Sequence, residues 1–233
     1  MRRSIDEDLM SDVLGWDVGT WSAAARFWER VVEPMGGPLD VLEVGAGPGG
    51  PSLWLALQGH RVVTSNLDHT ESQARPLHER HGVADRVEYR DLDVANLPYE
   101  NHFDLIVFKS VLGGVGSDGG AAQRQAVAQI LKALKPGGRL LFAENIRGTV
   151  FHRMIRAFAN RRRKASWYYM PLSELTHLLD DFASAEVHTT GVAAVFGFTE
   201  GQRRALATLD RALVRITPRP WRYVAYGVAV KGV

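Results

Sequence analysis

The chain has 233 residues, no cysteine, and 28 basic against 26 acidic side chains, a formal net charge of +2. That length is most simply one domain with a continuous core. The missing cysteines exclude disulfides and thiolate metal sites, which fits a reducing cytoplasm. So small a net charge gives no ground for a nucleic-acid partner, and no run of about 18 apolar residues indicates a transmembrane helix. Asp6-Glu7-Asp8 makes the N-terminus acidic at once, without the apolar core of a signal peptide. Trp21, Ala24, Ala25, Trp28 and Val32 then share one face of a predicted helix.

Leu39 to Val44 is an apolar run that reads as a buried parallel strand, and Ser52 to Leu57 has the spacing of a helix packed back onto the sheet. Between them lies Gly45-Ala46-Gly47-Pro48-Gly49-Gly50, a turn whose glycines let backbone lie against a ligand. Gly45-x-Gly47-x-x-Gly50 satisfies the dinucleotide pattern, with a pyrophosphate on the helix N-terminus. Glu43 argues the other way, since a carboxylate there repels a pyrophosphate and suits a ligand carrying an ammonium and a sulfonium. A second strand ends at Asn66 with Asp68 two residues on, where ribose hydroxyls need a partner. Asn66 can serve through its side-chain oxygen, though without charge assistance. A third-strand segment follows over Val87–Pro98, then strand signals at Phe103–Phe108 and Arg139–Phe142, the last after a helix and the Pro136-Gly137-Gly138 turn.

Glu43-Val44-Gly45-Ala46-Gly47-Pro48-Gly49 resembles the first motif of class I S-adenosylmethionine-dependent methyltransferases, E/D-x-G-x-G-x-G, and the three later segments fall in that family's order. The resemblance implies a doubly wound, Rossmann-like α/β fold. Its seven-stranded, mostly parallel sheet has helices on both faces and ends in a C-terminal antiparallel hairpin. It implies S-adenosylmethionine as cofactor. Glu43, Gly45, Ala46, Gly47 and Gly49 would lie around its methionine half, Asn66 or Asp68 on the ribose, and Asp93 (or Asp91) with Val94 at the adenine. Lys109, at the C-terminal end of the fourth strand, would border cofactor or substrate; otherwise it is a solvent-facing lysine. The N-terminal helix either caps this site or is simply buried on the sheet.

Methyl transfer is an in-line displacement in which positioning supplies most of the rate, and a hydroxyl acceptor usually also needs a base. Glu144, at the end of the fifth strand, is the carboxylate best placed to take that proton. Its alternative is to cap a turn or pair with Arg147. His152 is the histidine to test as a base. No metal cluster with ligand spacing is visible, so no metal is assigned.

From Asn145 to Ser173 there are seven Arg or Lys and no Asp or Glu, with Phe151, Met154, Ile155 and Phe158 on one helical face and Trp167-Tyr168-Tyr169 after it. This segment reads as an insertion over the active site. It is a solvated lid, a peripheral membrane contact through 151–169, or a grip on an anionic substrate, with the aromatic rings suited to a glycan or glycolipid. A helix from Ser173 to Asp180, a strand from Ala185 to Thr190, a helix from Glu200 to Ile216 and a strand from Tyr223 to Val230 close the chain. The whole thus reads as a single domain: helical cap 1–38, cofactor-binding core 39–145, basic and aromatic lid 146–180, closing elements 181–233. The expected activity is methyl transfer to a hydroxyl of a small-molecule or glycolipid-like acceptor. The alternatives are a non-catalytic binder of the same cofactor and a nicotinamide-dependent oxidoreductase.

Overall fold

The computed structural model describes residues 5–116, 120–163 and 167–233, with backbone alone over 158–163. Phe158 and Arg161 to Arg163 therefore enter as helix positions, and Lys164 lies outside the described residues. Five parallel strands form first: β1 (Asp40–Val44), β2 (Arg61–Asn66), β3 (Val87–Asp91), β4 (Phe103–Lys109) and β5 (Leu134–Asn145). With β6 (Ser184–Thr190) and β7 (Val224–Val230) they make one sheet, ordered β3-β2-β1-β4-β5-β7-β6. Only β7 runs antiparallel, inserted between β5 and β6 and bonded to both. The strand order reverses between β1 and β4, so a crevice opens at their C-terminal ends, where doubly wound sheets hold ligands.

β1 and β4 are buried nearly throughout because helices cover both faces. On one side pack α1 (Glu7–Leu14), α2 (Val18–Val32) and α3 (Gly50–Leu57), with Trp21, Trp28 and Trp54 wholly buried. The other side carries α6 (Ala121–Ala133) and α8 (Leu172–His177) around Phe108, Phe142 and Ile130. Fully burying each such side chain stabilises by about 1.5–3 kcal/mol.

The Trp21–Val32 face is buried as a core stripe, so α2 is a packed helix of the sheet layer. The Pro136-Gly137-Gly138 turn is absorbed into β5 as a bulge: Phe103 pairs with Leu134, whereas Leu105 pairs with Arg139. Lys135 in that bulge donates to Asp40 (2.8 Å) and Asp104 (2.9 Å), tying β1, β4 and β5 together at their N-terminal edge. Ser173 lies inside α8, which starts after Pro171 instead of capping on the serine. α9 (Glu200–Ile216) begins as expected, with a capping box between Thr199 and Gln202. Its Glu200 carboxylate also accepts from Asp17 N and Val18 N, covering the free amides of α2.

Candidate active site

The β1–α3 loop turns on three left-handed glycines, Gly45 (φ 62°), Gly47 (φ 53°) and Gly49 (φ 81°). A Cβ at Gly45 would stand 2.5 Å from the Val111 side chain, whereas at Gly47 it would meet nothing within 4 Å. Gly45 is therefore needed for packing against the loop after β4. Gly47 leaves the open side on which a ligand can lie flat. Ala46 donates to Ser65 O at 2.9 Å and fastens the loop to β2.

Three side chains brace this loop from behind. Glu43 is 1% exposed and accepts from Ser52 N at 2.8 Å, so its carboxylate caps α3 instead of facing the loop's open side. Burial pushes its pKa up to about 7 against the pull of the Ser52 and Thr64 hydrogen bonds. Asn66 accepts from Gly47 N at 2.7 Å through Oδ1 and donates to Gly47 O at 3.3 Å through Nδ2. His78, whose ring is fully buried, bonds Gly49 O through Nε2 at 2.9 Å and the Tyr89 hydroxyl through Nδ1 at 2.9 Å. His78 belongs to the loop's support; histidine content alone could not single it out.

Along the crevice the two acidic alternatives separate. Asp91 accepts from Thr70 N at 2.9 Å and so caps α4 (Thr70–Arg80), which holds its carboxyl below the usual range. Asp93 is exposed two residues beyond β3, accepts from Ala95 N at 2.9 Å, and is followed by half-buried Val94. Asp68 is exposed beyond β2, next to the braced Asn66.

At the end of β4, the Lys109 ammonium lies 4.5 Å from the Trp21 ring centre and 5.1 Å from that of Trp16. Burial lowers its pKa to about 8, opposed by the charges of Asp17, Glu144 and Glu43. Lys109 thus gathers the N-terminal segment, β1 and β5 at one sheet edge. Asp17 itself is fully buried, left-handed (φ 48°) and held by the Tyr223 hydroxyl at 2.7 Å, and burial raises its pKa to about 6. No periodicity marks Asp17, Trp16 or Tyr223 in advance. Ser110 follows with φ 61°, its hydroxyl accepting from Asn145 Nδ2 at 2.7 Å. A non-glycine residue held in that region stores strain, and such strain clusters at working sites.

The two residues expected as bases are both committed elsewhere. Glu144 is 0% exposed and accepts from Val111 N (2.8 Å), Leu112 N (2.7 Å) and Asn145 N (2.9 Å). It caps α5 (Leu112–Val115) and fixes the loop whose Val111 packs on Gly45. Burial raises its pKa to about 7. His152 lies on α7 (Val150–Arg163) and is 1% exposed. Its Nδ1 accepts from Thr149 N at 2.8 Å, which makes Nε2 the protonated nitrogen that donates to Val192 O at 2.8 Å. Burial also lowers its pKa, so the neutral ring is the form that fits. The His152 ring has both nitrogens engaged, and Glu144 is wholly buried behind the loop it caps.

The aromatic run is likewise engaged. Tyr168 donates to Glu174 at 2.6 Å, Trp167 packs on Gly113, and the Arg156 guanidinium lies 4.2 Å from the Tyr169 ring centre. Among the described residues, no cluster of His, Cys, Asp or Glu is arranged for a metal ion.

Comparison with known proteins agrees with this geometry. A family model described as "Methyltransferase domain" matches residues 42–142, the glycine loop through β5. The chain is 33% identical over 137 residues to "Methyltransferase GfsG" of Streptomyces halstedii, covering 54% of this chain and 47% of that protein. It is 32% identical over 149 residues to the "Ubiquinone/menaquinone biosynthesis C-methyltransferase UbiE" of Azotobacter vinelandii, covering 59% and 53%. The chain thus spans about half the length of the curated relatives it matches. Among solved structures, the Burkholderia thailandensis 1,6-didemethyltoxoflavin-N1-methyltransferase superposes with a TM-score of 0.58 at 20% identity, over 98% of this chain and 80% of that one. Residues 42–142 thus match a methyltransferase domain, and the strand order with the glycine loop at its switch point agrees with that match.

Proposed function

We propose that this chain methylates a hydroxyl of a small polar acceptor, glycan- or glycolipid-like in character, using S-adenosylmethionine. The observation that carries the cofactor is the glycine loop, open at Gly47 and closed behind by Asn66, Glu43 and His78. The same geometry argues against a dinucleotide. The α3 amide that would greet a pyrophosphate, Ser52 N, is already taken by the Glu43 carboxylate.

The residues present suit the cofactor's chemistry. The loop backbone borders the methionine half, and the Lys109 ammonium suits its carboxylate. The exposed Asp68 suits the ribose hydroxyls, and Asp93 with Val94 suits the amino group and face of adenine. When bound, the cofactor supplies an electrophilic methyl on a sulfonium. The chain's own part is to align and to exclude water. Glu144 and Asn145 hold the loop after β4 and orient Ser110, while His152 fixes the lid. In this reading positioning supplies the rate, and the acceptor's hydroxyl proton, which neither Glu144 nor His152 takes, passes to solvent water as the new oxygen–methyl bond forms.

Isothermal titration of the wild type and Asp93→Ala with S-adenosylmethionine, S-adenosylhomocysteine and NADH tests the reading. Micromolar binding of both sulfur ligands, weakened in the variant, is expected. Binding of NADH alone would overturn it.

A further inference from the structure

α7 is inside out. His152 and Arg156, one turn apart, face the protein at 1% and 6% exposure, whereas Val150, Phe151 and Met154 are 62%, 70% and 65% exposed and Ile155 is 37% exposed. Hydrogen bonds explain the inward face. His152 bonds Val192 O, and Arg156 donates to Ile146 O and, at 3.4 Å, to Tyr223 O and Asn145 Oδ1. Nothing among the described residues explains the outward one, because an ordinary surface helix turns its apolar stripe to the core. Phe198, 87% exposed, lies two residues beyond Phe196, whose ring stacks on His152 at 5.2 Å. A further apolar side chain is thus exposed close in sequence to the shelf on which α7 rests.

Charge decides what covers this face. Between residues 145 and 173 the sequence carries seven Arg or Lys and no Asp or Glu; Arg156 is spent inward, while Arg147 and Arg153 are exposed. A second copy docked through α7 would set two such segments against each other, at an electrostatic cost. An anionic surface gains from the same charges. No described helix is long and apolar enough to span a bilayer, so the contact lies in the surface plane. We infer that α7 seats this protein on an anionic lipid bilayer, with Phe151, Met154 and neighbouring exposed apolar side chains in the headgroup boundary and Arg153 against phosphates. The inference stands apart from methyl transfer, because vesicle binding requires no cofactor.

Flotation of the whole chain with phosphatidylcholine vesicles, with and without phosphatidylglycerol, tests it. Recovery with the phosphatidylglycerol vesicles only, falling as salt is raised, is expected. The exposed-face variant Phe151→Ser/Met154→Ser should weaken recovery on the order of tenfold, while its titration with S-adenosylmethionine matches the wild type. Absence of vesicle binding, or equal binding by the variant, would overturn the inference. So would a concentration-dependent dimer in sedimentation that the variant abolishes, because it would assign the face to a second copy.

Discussion

Asn66 carries a carboxamide where nucleotide sites often have a carboxylate, and its two hydrogen bonds to Gly47 supply the reason. It accepts from the Gly47 amide and donates to the Gly47 carbonyl, and only an amide side chain does both. Asn66→Asp would set a carboxylate oxygen against that carbonyl, so affinity for S-adenosylmethionine should fall about fivefold in a titration. If Asn66 served the ribose directly, the added charge should instead tighten binding. This brace was invisible in the sequence, where Asn66 reads as a ribose partner by position alone. Glu144 misleads in the same way. A carboxylate at a strand's C-terminal end looks catalytic, and only coordinates reveal three backbone amides converging on it.

The elements were legible where periodicity reports burial directly. β1, β2, β4 and α9 lie within a residue or two of their expected bounds, because their apolar spacing mirrors the sheet or helix face each one buries. α7 shows where that reading stops. Its apolar face is plain in the sequence, but the pattern cannot say that the opposite, polar face is the buried one. Arg156 settles the matter by donating to Ile146 O, just past β5, and more weakly to Tyr223 O before β7. Arg156→Ala removes the donor to Ile146 O, while Tyr223 O keeps the Ile146 amide at 2.9 Å, and a buried group left unpaired costs roughly 1–3 kcal/mol. The effect should stay local to α7, whose outward face leaves Val150, Phe151 and Met154 exposed. Limited proteolysis between 147 and 166 should accelerate several-fold, with the global melting temperature nearly unmoved.

For the molecule as a whole, three buried carboxyls set how stability responds to pH. Burial raises Asp17 from 3.8 to about 6, and Glu43 and Glu144 from 4.5 to about 7. Between about pH 4 and 7 the folded chain therefore holds more protons than the unfolded one, and stability falls as pH rises. Asp40 acts with the opposite sign. Hydrogen bonds from Arg61 and Lys135 hold it down to about 2, so its contribution is lost only as pH falls through that value. Lys109, lowered to about 8, adds stability with rising pH only above that point. Burial lowers the pKa of His78 and His152, which opposes the trend below about pH 6.5, but three carboxyls outweigh two imidazoles and the urea midpoint should be higher at pH 5.5 than at pH 8. Glu144→Gln should lower it at both values and flatten the difference, because it places an amide donor among three backbone donors while removing one titrating group.

The insertion of β7 between β5 and β6 has a consequence for biogenesis. On the ribosome, β6 emerges before its only strand partner, and the outer edge of β5 waits some eighty residues for the strand that covers it. Until β7 arrives, the outer edge of β5 and the unpaired β6 both stand open, the kind of surface on which neighbouring chains pair and aggregate. A chain halted before Val224 should for that reason accumulate as insoluble material even though every residue of the glycine loop is present.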